Sequence, residues 1–160
     1  MPLRRLTVAT LVCSAAVLGI SYFLSNGHAQ ARITHTCSAA DRQFIDTVSA
    51  NMFQLSYWSN SLSSGDADAP LVAHQASSEA DQVGATRPTD PTFAKARTLL
   101  KGMFVQYAKA VTARDTGDGN AGVYMGLSYT LANEVHDLLS GAQPALAAKG
   151  CDPSRLLKGD

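Results

Sequence analysis

The sequence lacks the motifs that would assign it to a well-defined class of enzyme. It contains no Gly-x-Ser-x-Gly turn for nucleophilic catalysis, no paired Glu-x-x-His motifs for a di-iron centre and no Cys-x-x-Cys-His for covalent haem attachment. The segment Asp115–Asn120 is rich in oxygen ligands, but it lacks the glutamate that completes an EF-hand calcium loop. We therefore interpret that segment as a polar turn. An enzyme is not the expected class, and a hydrolase of unrecognised type remains only as an alternative.

The chain also lacks an excess of charge of one sign. It has 13 Lys and Arg residues against 13 Asp and Glu residues. Arg4 and Arg5 precede a hydrophobic N-terminal run, so the rest of the chain is slightly acidic. Such a balance gives no electrostatic reason to expect nucleic acid or an anionic membrane surface as a partner. With 46% hydrophobic and 16% charged residues, the composition is that of one globular domain.

Long hydrophobic runs are absent except at the N-terminus. Leu6–Leu24 is apolar, and Ala29 and Ala31 supply the small residues that a signal peptidase requires. The run is also close to the length that spans a bilayer. Residues 1–31 are therefore either a signal peptide cleaved after Ala31 or an uncleaved membrane anchor. In both cases we expect export to a periplasmic or extracellular space, with residues 32–37 as a short linker.

Cysteine is scarce, which simplifies its interpretation. Of the three cysteines, Cys13 lies in the leader, and Cys37 and Cys151 lie near the two ends of the remaining domain. In an oxidising compartment two such cysteines most simply form a disulfide. Two free thiols or a pair of metal ligands are the alternatives.

Helical periodicity covers the residues between these two cysteines. This periodicity predicts that residues 38–151 form an all-α fold, an antiparallel four-helix bundle in up-down-up-down order. Such an order brings both cysteines to one end of the bundle. The first helix begins at Ser38, with Asp41 expected to help cap its amides. Its apolar stripe recurs in steps of three and four, at Ile45, Val48, Met52, Leu55 and Leu62.

Turn and capping residues mark the other helix boundaries. The second helix is expected to begin near Ala69, the third after its cap at Asp90, and the fourth near Ala121. Pro144 should kink or break the fourth helix. The tail, residues 152–160, is expected to fray.

Aromatic side chains on the first helix are candidates for a binding patch. Phe53 and Tyr57 lie one turn apart and off the apolar stripe, while Phe44 and Trp58 flank it. Two interpretations remain open. The rings either cover the alanine-rich second helix, or Phe53, Tyr57 and Trp58 stay exposed and bind an unknown protein or an apolar ligand.

A histidine on the fourth helix supports an alternative function. Met125, Tyr129, Ala132 and His136 form a stripe beside the main seam. If the disulfide forms, Met52 and His136 lie equally far from it, so Met52, Tyr129 and His136 are candidate ligands of haem or another metal. Methionine at a core position is more often a gap-filler. The preferred prediction is therefore a non-enzymatic interaction or binding module without a cofactor, and a haem or metal carrier is the alternative.

Overall fold

The computed structural model describes residues 36–158, and this part of the chain is mostly helical and contains no strand. It contains four long helices, α1 (Ala39–Ser64), α2 (Ala69–Ala85), α3 (Pro91–Asp115) and α4 (Ala121–Ala148), and a short helix α5 (Ser154–Lys158). The predicted leader, residues 1–31, and most of the predicted linker lie outside the described residues. None of the described helices is both long and apolar enough to cross a membrane.

The helix boundaries follow the capping signals in the sequence. Ser38 Oγ accepts a hydrogen bond from the Asp41 amide at the start of α1, and Asp90 accepts one from the Thr92 amide at the start of α3. Gly65 ends α1 in the left-handed region, with φ 81°, a conformation that suits a residue without Cβ. The predicted caps at Ser38 and Asp90 are confirmed.

The core is built from apolar side chains of all four long helices. Phe44 of α1 is fully buried and its ring lies 5.5 Å from that of Phe93 on α3. Phe44 is therefore a core residue, although the sequence pattern places it beside the stripe. The largest cluster includes Phe44, Ile45, Val48, Val83, Phe93, Leu100, Met103, Phe104, Val135, Leu139 and Leu146.

The four long helices are not packed equally closely. α3 packs closely against both α2 and α4, and α1 packs mainly against α2. No Cα atom of α1 lies within 8 Å of a Cα atom of α4. Because α1 and α4 remain apart, a groove opens between them with α3 as its floor.

A disulfide and a set of polar contacts join the helix ends near the cysteines. The Sγ atoms of Cys37 and Cys151 lie at bonding distance, 1.97 Å, as the sequence predicts. The Asp41 carboxylate accepts hydrogen bonds from the amides of Thr89 and Asp90, at 2.7 and 3.0 Å. The starts of α1 and α3 therefore meet the end of α4.

The C-terminal tail differs from the sequence-based expectation. Residues Ser154–Lys158 form α5, which contacts both α1 and α4 instead of fraying. Leu156 and Leu157 pack against the core, and Arg155 pairs with Asp46 of α1. The expectation of a frayed tail is wrong for these residues because the two leucines gain apolar contacts with the core. Their position near a chain terminus does not reveal such contacts.

α4 continues through Pro144 to Ala148, so a break at Pro144 is wrong, whereas a kink, the other form of that expectation, stays a prediction. Proline removes the amide that would bond the carbonyl of Ser140. Ser140 is exposed, which leaves water free to hydrogen-bond that carbonyl and reduces the cost of the missing bond.

Candidate functional site

The groove between α1 and α4 encloses a cavity of about 320 Å³. α1 supplies one wall, α4 the other, and two residues of α3 lie beneath them. Its lining comprises Met52, Leu55, Ser56, Ser59, Asn60, Met103, Tyr107, Met125, Ser128, Tyr129 and Ala132.

Methionine is concentrated in this groove. Met52, Met103 and Met125 come from three different helices and are all the methionines of the sequence apart from Met1. The methionine side chain is unbranched and polarizable, and it adapts to surfaces of varied shape. A surface rich in methionine is therefore suited to an apolar molecule of varied shape.

Several polar atoms of the groove are already paired with other protein atoms. The hydroxyl oxygens of Ser59 and Tyr107 are hydrogen-bonded at 2.6 Å, and Ser128 Oγ donates to the carbonyl of Met103 at 3.1 Å. No Asp, Glu, Lys, Arg or His belongs to the lining. The groove consequently offers a ligand mostly apolar contact and no charged side chain.

The predicted metal or haem ligands divide between two adjoining cavities. Met52 and Tyr129 line the groove, whereas His136 lies with Met52 and Met103 on a separate crevice of about 50 Å³. Tyr129 is 67% exposed. The volume of the crevice is less than twice the roughly 30 Å³ that one water molecule occupies in the liquid. It suits an ion or a water molecule and is much too small for a porphyrin.

The three predicted patch aromatics have different environments. Phe53 and Tyr57 are 65% and 56% exposed. Trp58 is half-buried and packs on the cluster of Val72, Ala73 and Val111, with its ring against that of Tyr57. The first interpretation, in which the rings cover α2, therefore applies to Trp58. The second, in which they stay exposed, applies to Phe53 and Tyr57.

Phe53 and Tyr57 flank the groove without lining it. Each follows a lining residue of α1 by one position, since Phe53 follows Met52 and Tyr57 follows Ser56. One residue corresponds to about 100° of helix rotation, which turns both rings away from the cavity.

Within residues 36–158, one group of three Cys, His, Asp or Glu side chains has converging ligand atoms, and it lies at the disulfide end. It consists of Cys37, Asp41 and Cys151, whose ligand atoms lie within 4.8 Å of one another. Both sulfurs are in the disulfide, so neither is available as a thiolate. Burial by itself raises the pKa of Asp41, but hydrogen bonds from Asp90, Ser38 and Thr89 outweigh it and place the pKa below its ordinary value.

Glu79 is the most unusual acidic residue in the described part of the chain. It is only 4% exposed on α2, and burial raises its pKa to about 7. Its Oε2 has no hydrogen-bond partner, while its main-chain carbonyl accepts from Asn51 Nδ2 at 3.3 Å. The sequence contains a signal for this burial, because Glu79 lies three residues after Ala76 and four before Val83 on the apolar face of α2. No described residue donates a hydrogen bond to its carboxyl, so nothing offsets the effect of burial and the neutral form is favoured.

Comparisons with protein-family models, with curated proteins and with solved structures found no match for this chain.

Proposed function

We propose that this protein is an exported, non-enzymatic binding module that holds a small apolar molecule in the groove between α1 and α4. The composition of the groove is the observation that carries the proposal. Its cavity of about 320 Å³ falls within the range of roughly 300–1,000 Å³ that is common for small-molecule sites. Three methionines and two tyrosines are among its lining residues.

The chemistry of the lining favours an apolar ligand over a charged one. A charged molecule would lose hydration in the groove without gaining an ion pair, because the lining has no charged side chain. An apolar molecule would displace water from methionine and tyrosine surfaces, which is favourable.

The proposed architecture behind the groove is an antiparallel four-helix bundle in up-down-up-down order. Contacts along α3 support this order. The start of α3 meets the end of α4 through Asp90 and Lys149, and its far half meets the start of α4 through Lys109, whose Nζ lies 5.9 Å from the Tyr124 ring centre. The disulfide fits an oxidising compartment, which agrees with the proposed export leader.

The proposal is tested by filling the groove. Ser56 lines the groove, whereas the exposed Gln54 on the same helix does not. We expect titration of the purified chain with a neutral naphthylamine dye to give saturable fluorescence enhancement. Ser56→Phe should reduce that dye affinity at least about tenfold, equivalent to about 1.4 kcal/mol. The matched control Gln54→Phe should leave the dye affinity unchanged. Absence of saturable binding, or an equal loss in both variants, would refute the groove as a ligand site.

A protein-contact surface at Phe53 and Tyr57 is the second candidate function. Two large aromatic rings exposed one turn apart resemble the aromatic enrichment of protein interfaces. This candidate predicts that Phe53→Ser abolishes binding of a partner that Ser56→Phe leaves intact, which is the reverse of the pattern for the groove.

A further inference from the structure

The crevice beside the ligand groove brings together side chains with a distinctive set of donor atoms. Met52 of α1, Met103 of α3 and His136 of α4 all line a cavity of about 50 Å³. Because the cavity is so small, the three side chains border one common space, which has room for an ion or a water molecule. The rest of its lining is apolar, formed by Val48, Leu100, Ala132, Val135 and Leu156.

These donors are two thioether sulfurs and one imidazole nitrogen. Thioether ligands select Cu(I) among the biological metals, and imidazole also binds copper. Calcium and magnesium require oxygen ligands, and structural zinc sites use thiolate, imidazole and carboxylate. No carboxylate or thiol lines the crevice. The donor set therefore favours a soft monovalent cation.

Burial and charge agree with that choice. Met103 is 3% exposed, so its sulfur lies in the core, while His136 is exposed and offers a path to solvent. A single positive charge costs less to bury among apolar walls than a divalent ion does. The apolar walls would also limit the access of water to the bound ion.

We propose that Met52, Met103 and His136 form a Cu(I) site in the crevice that adjoins the apolar groove. The cation enters from the side of His136 and exchanges its solvent ligands for the two sulfurs and one neutral imidazole nitrogen. Coordination involves no change in oxidation state. The site shares Met52 and Met103 with the groove, but it does not depend on the groove binding an apolar molecule.

The experiment is a Cu(I) titration of the full chain in ascorbate with bathocuproine disulfonate as the competing chelator. Ascorbate keeps copper reduced without supplying a thiol that would exchange with the disulfide. We expect one Cu(I) per chain. Met52→Leu and His136→Gln should each weaken Cu(I) binding by more than about tenfold, since loss of even an outer partner of a metal ligand costs about 10–100-fold.

Met125→Leu is the matched control. Met125 lines the groove but not the crevice, so its replacement should leave Cu(I) affinity unchanged. Helical circular dichroism and thermal melting confirm that each variant is folded, and leucine conserves most of the methionine volume. Failure of the wild-type chain to compete with the chelator would overturn the proposal. An equal loss of affinity in Met125→Leu would overturn it as well.

The copper site and the ligand groove are tested separately. Ser56→Phe should weaken dye binding and retain Cu(I) binding, because Ser56 lines the groove and not the crevice. His136→Gln should weaken Cu(I) binding and retain dye binding. Loss of both activities in both variants would contradict the assignment of two distinct sites.

Discussion

Asp41 connects the starts of two helices. Its carboxylate accepts four hydrogen bonds, from Ser38 Oγ, the Thr89 amide, Thr89 Oγ1 and the Asp90 amide. Two of these donors are main-chain amides just ahead of α3, where amides lack helical partners. The sequence predicts a capping role for Asp41 within its own helix. In the structure, its carboxylate instead accepts hydrogen bonds from the amides just ahead of α3, while Ser38 caps α1.

We expect Asp41→Asn to lower the free energy of unfolding by about 2 kcal/mol at neutral pH. Hydrogen bonds to a charged group contribute about 1.5–3 kcal/mol each, and the asparagine amide carries no charge. In addition, its NH₂ group would face at least one hydrogen-bond donor. Urea unfolding followed by circular dichroism measures the change.

Asp46→Asn is the control on the same helix. Asp46 is exposed and its ion pair with Arg155 joins two exposed side chains, so the change should stay within about 0.5 kcal/mol. A loss for Asp41→Asn no larger than that of the control would contradict the linking role of its carboxylate.

At the scale of elements, α5 extends the core beyond the second cysteine. Leu157 packs against the main core cluster, and the Arg155–Asp46 ion pair lies at the surface. Apolar burial therefore contributes more to holding α5 than the ion pair does.

Leu157→Ala should accordingly reduce the free energy of unfolding by about 1–2 kcal/mol, below the roughly 2–5 kcal/mol of a fully buried leucine because Leu157 is half-buried. Arg155→Ala should cost about 0.5 kcal/mol or less. Chemical denaturation of both variants provides the comparison. A larger loss for Arg155→Ala would show that the ion pair, and not the leucine, holds α5 in place.

The positions of the long helices were largely predictable from sequence, because local signals determine them. Ala69, the Asp90 cap and Ala121 mark helix starts through residues within one turn. α5 and the continuation past Pro144 were not predictable in the same way. Both depend on surroundings, namely the core contact of Leu157 and the exposure of Ser140.

The candidate site was only partly predictable. Periodicity identifies Met52, Tyr129 and His136 as residues on facing sides of α1 and α4, and the structure places Met52 and His136 on one crevice. Periodicity does not determine the distance between helices. The groove exists because α1 and α4 stand apart, which depends on packing against α2, α3 and α5. Met103 and Met125 become site residues for that reason alone.

At the scale of the whole molecule, buried carboxyl groups give the fold opposite responses to pH. Burial raises the pKa of Asp90 by itself, but hydrogen bonds from Lys149 and Thr92 outweigh it and lower the pKa below the ordinary 3.8. Asp41 shifts in the same direction. Their stabilisation is present above pH 3.8 and is lost as pH falls through the lowered values. Glu79, with its pKa raised from 4.5 to about 7, acts in the other direction.

The protein should reach its maximum stability between these windows, that is, between pH 3.8 and 4.5. As pH rises from 4.5 to about 7, the unfolded chain releases the Glu79 proton before the folded one does, so stability falls, by at most about 3 kcal/mol. We expect Glu79→Gln to remove this decline, so that its advantage over the wild type is larger at pH 8 than at a pH below 4.5, where the carboxyl is protonated in both states. Urea unfolding at a series of pH values measures both curves. Glu134→Gln, at an exposed position of α4, should retain the wild-type decline. If the wild-type curve is flat between pH 5 and 8, the buried Glu79 carboxyl is not what limits stability at neutral pH.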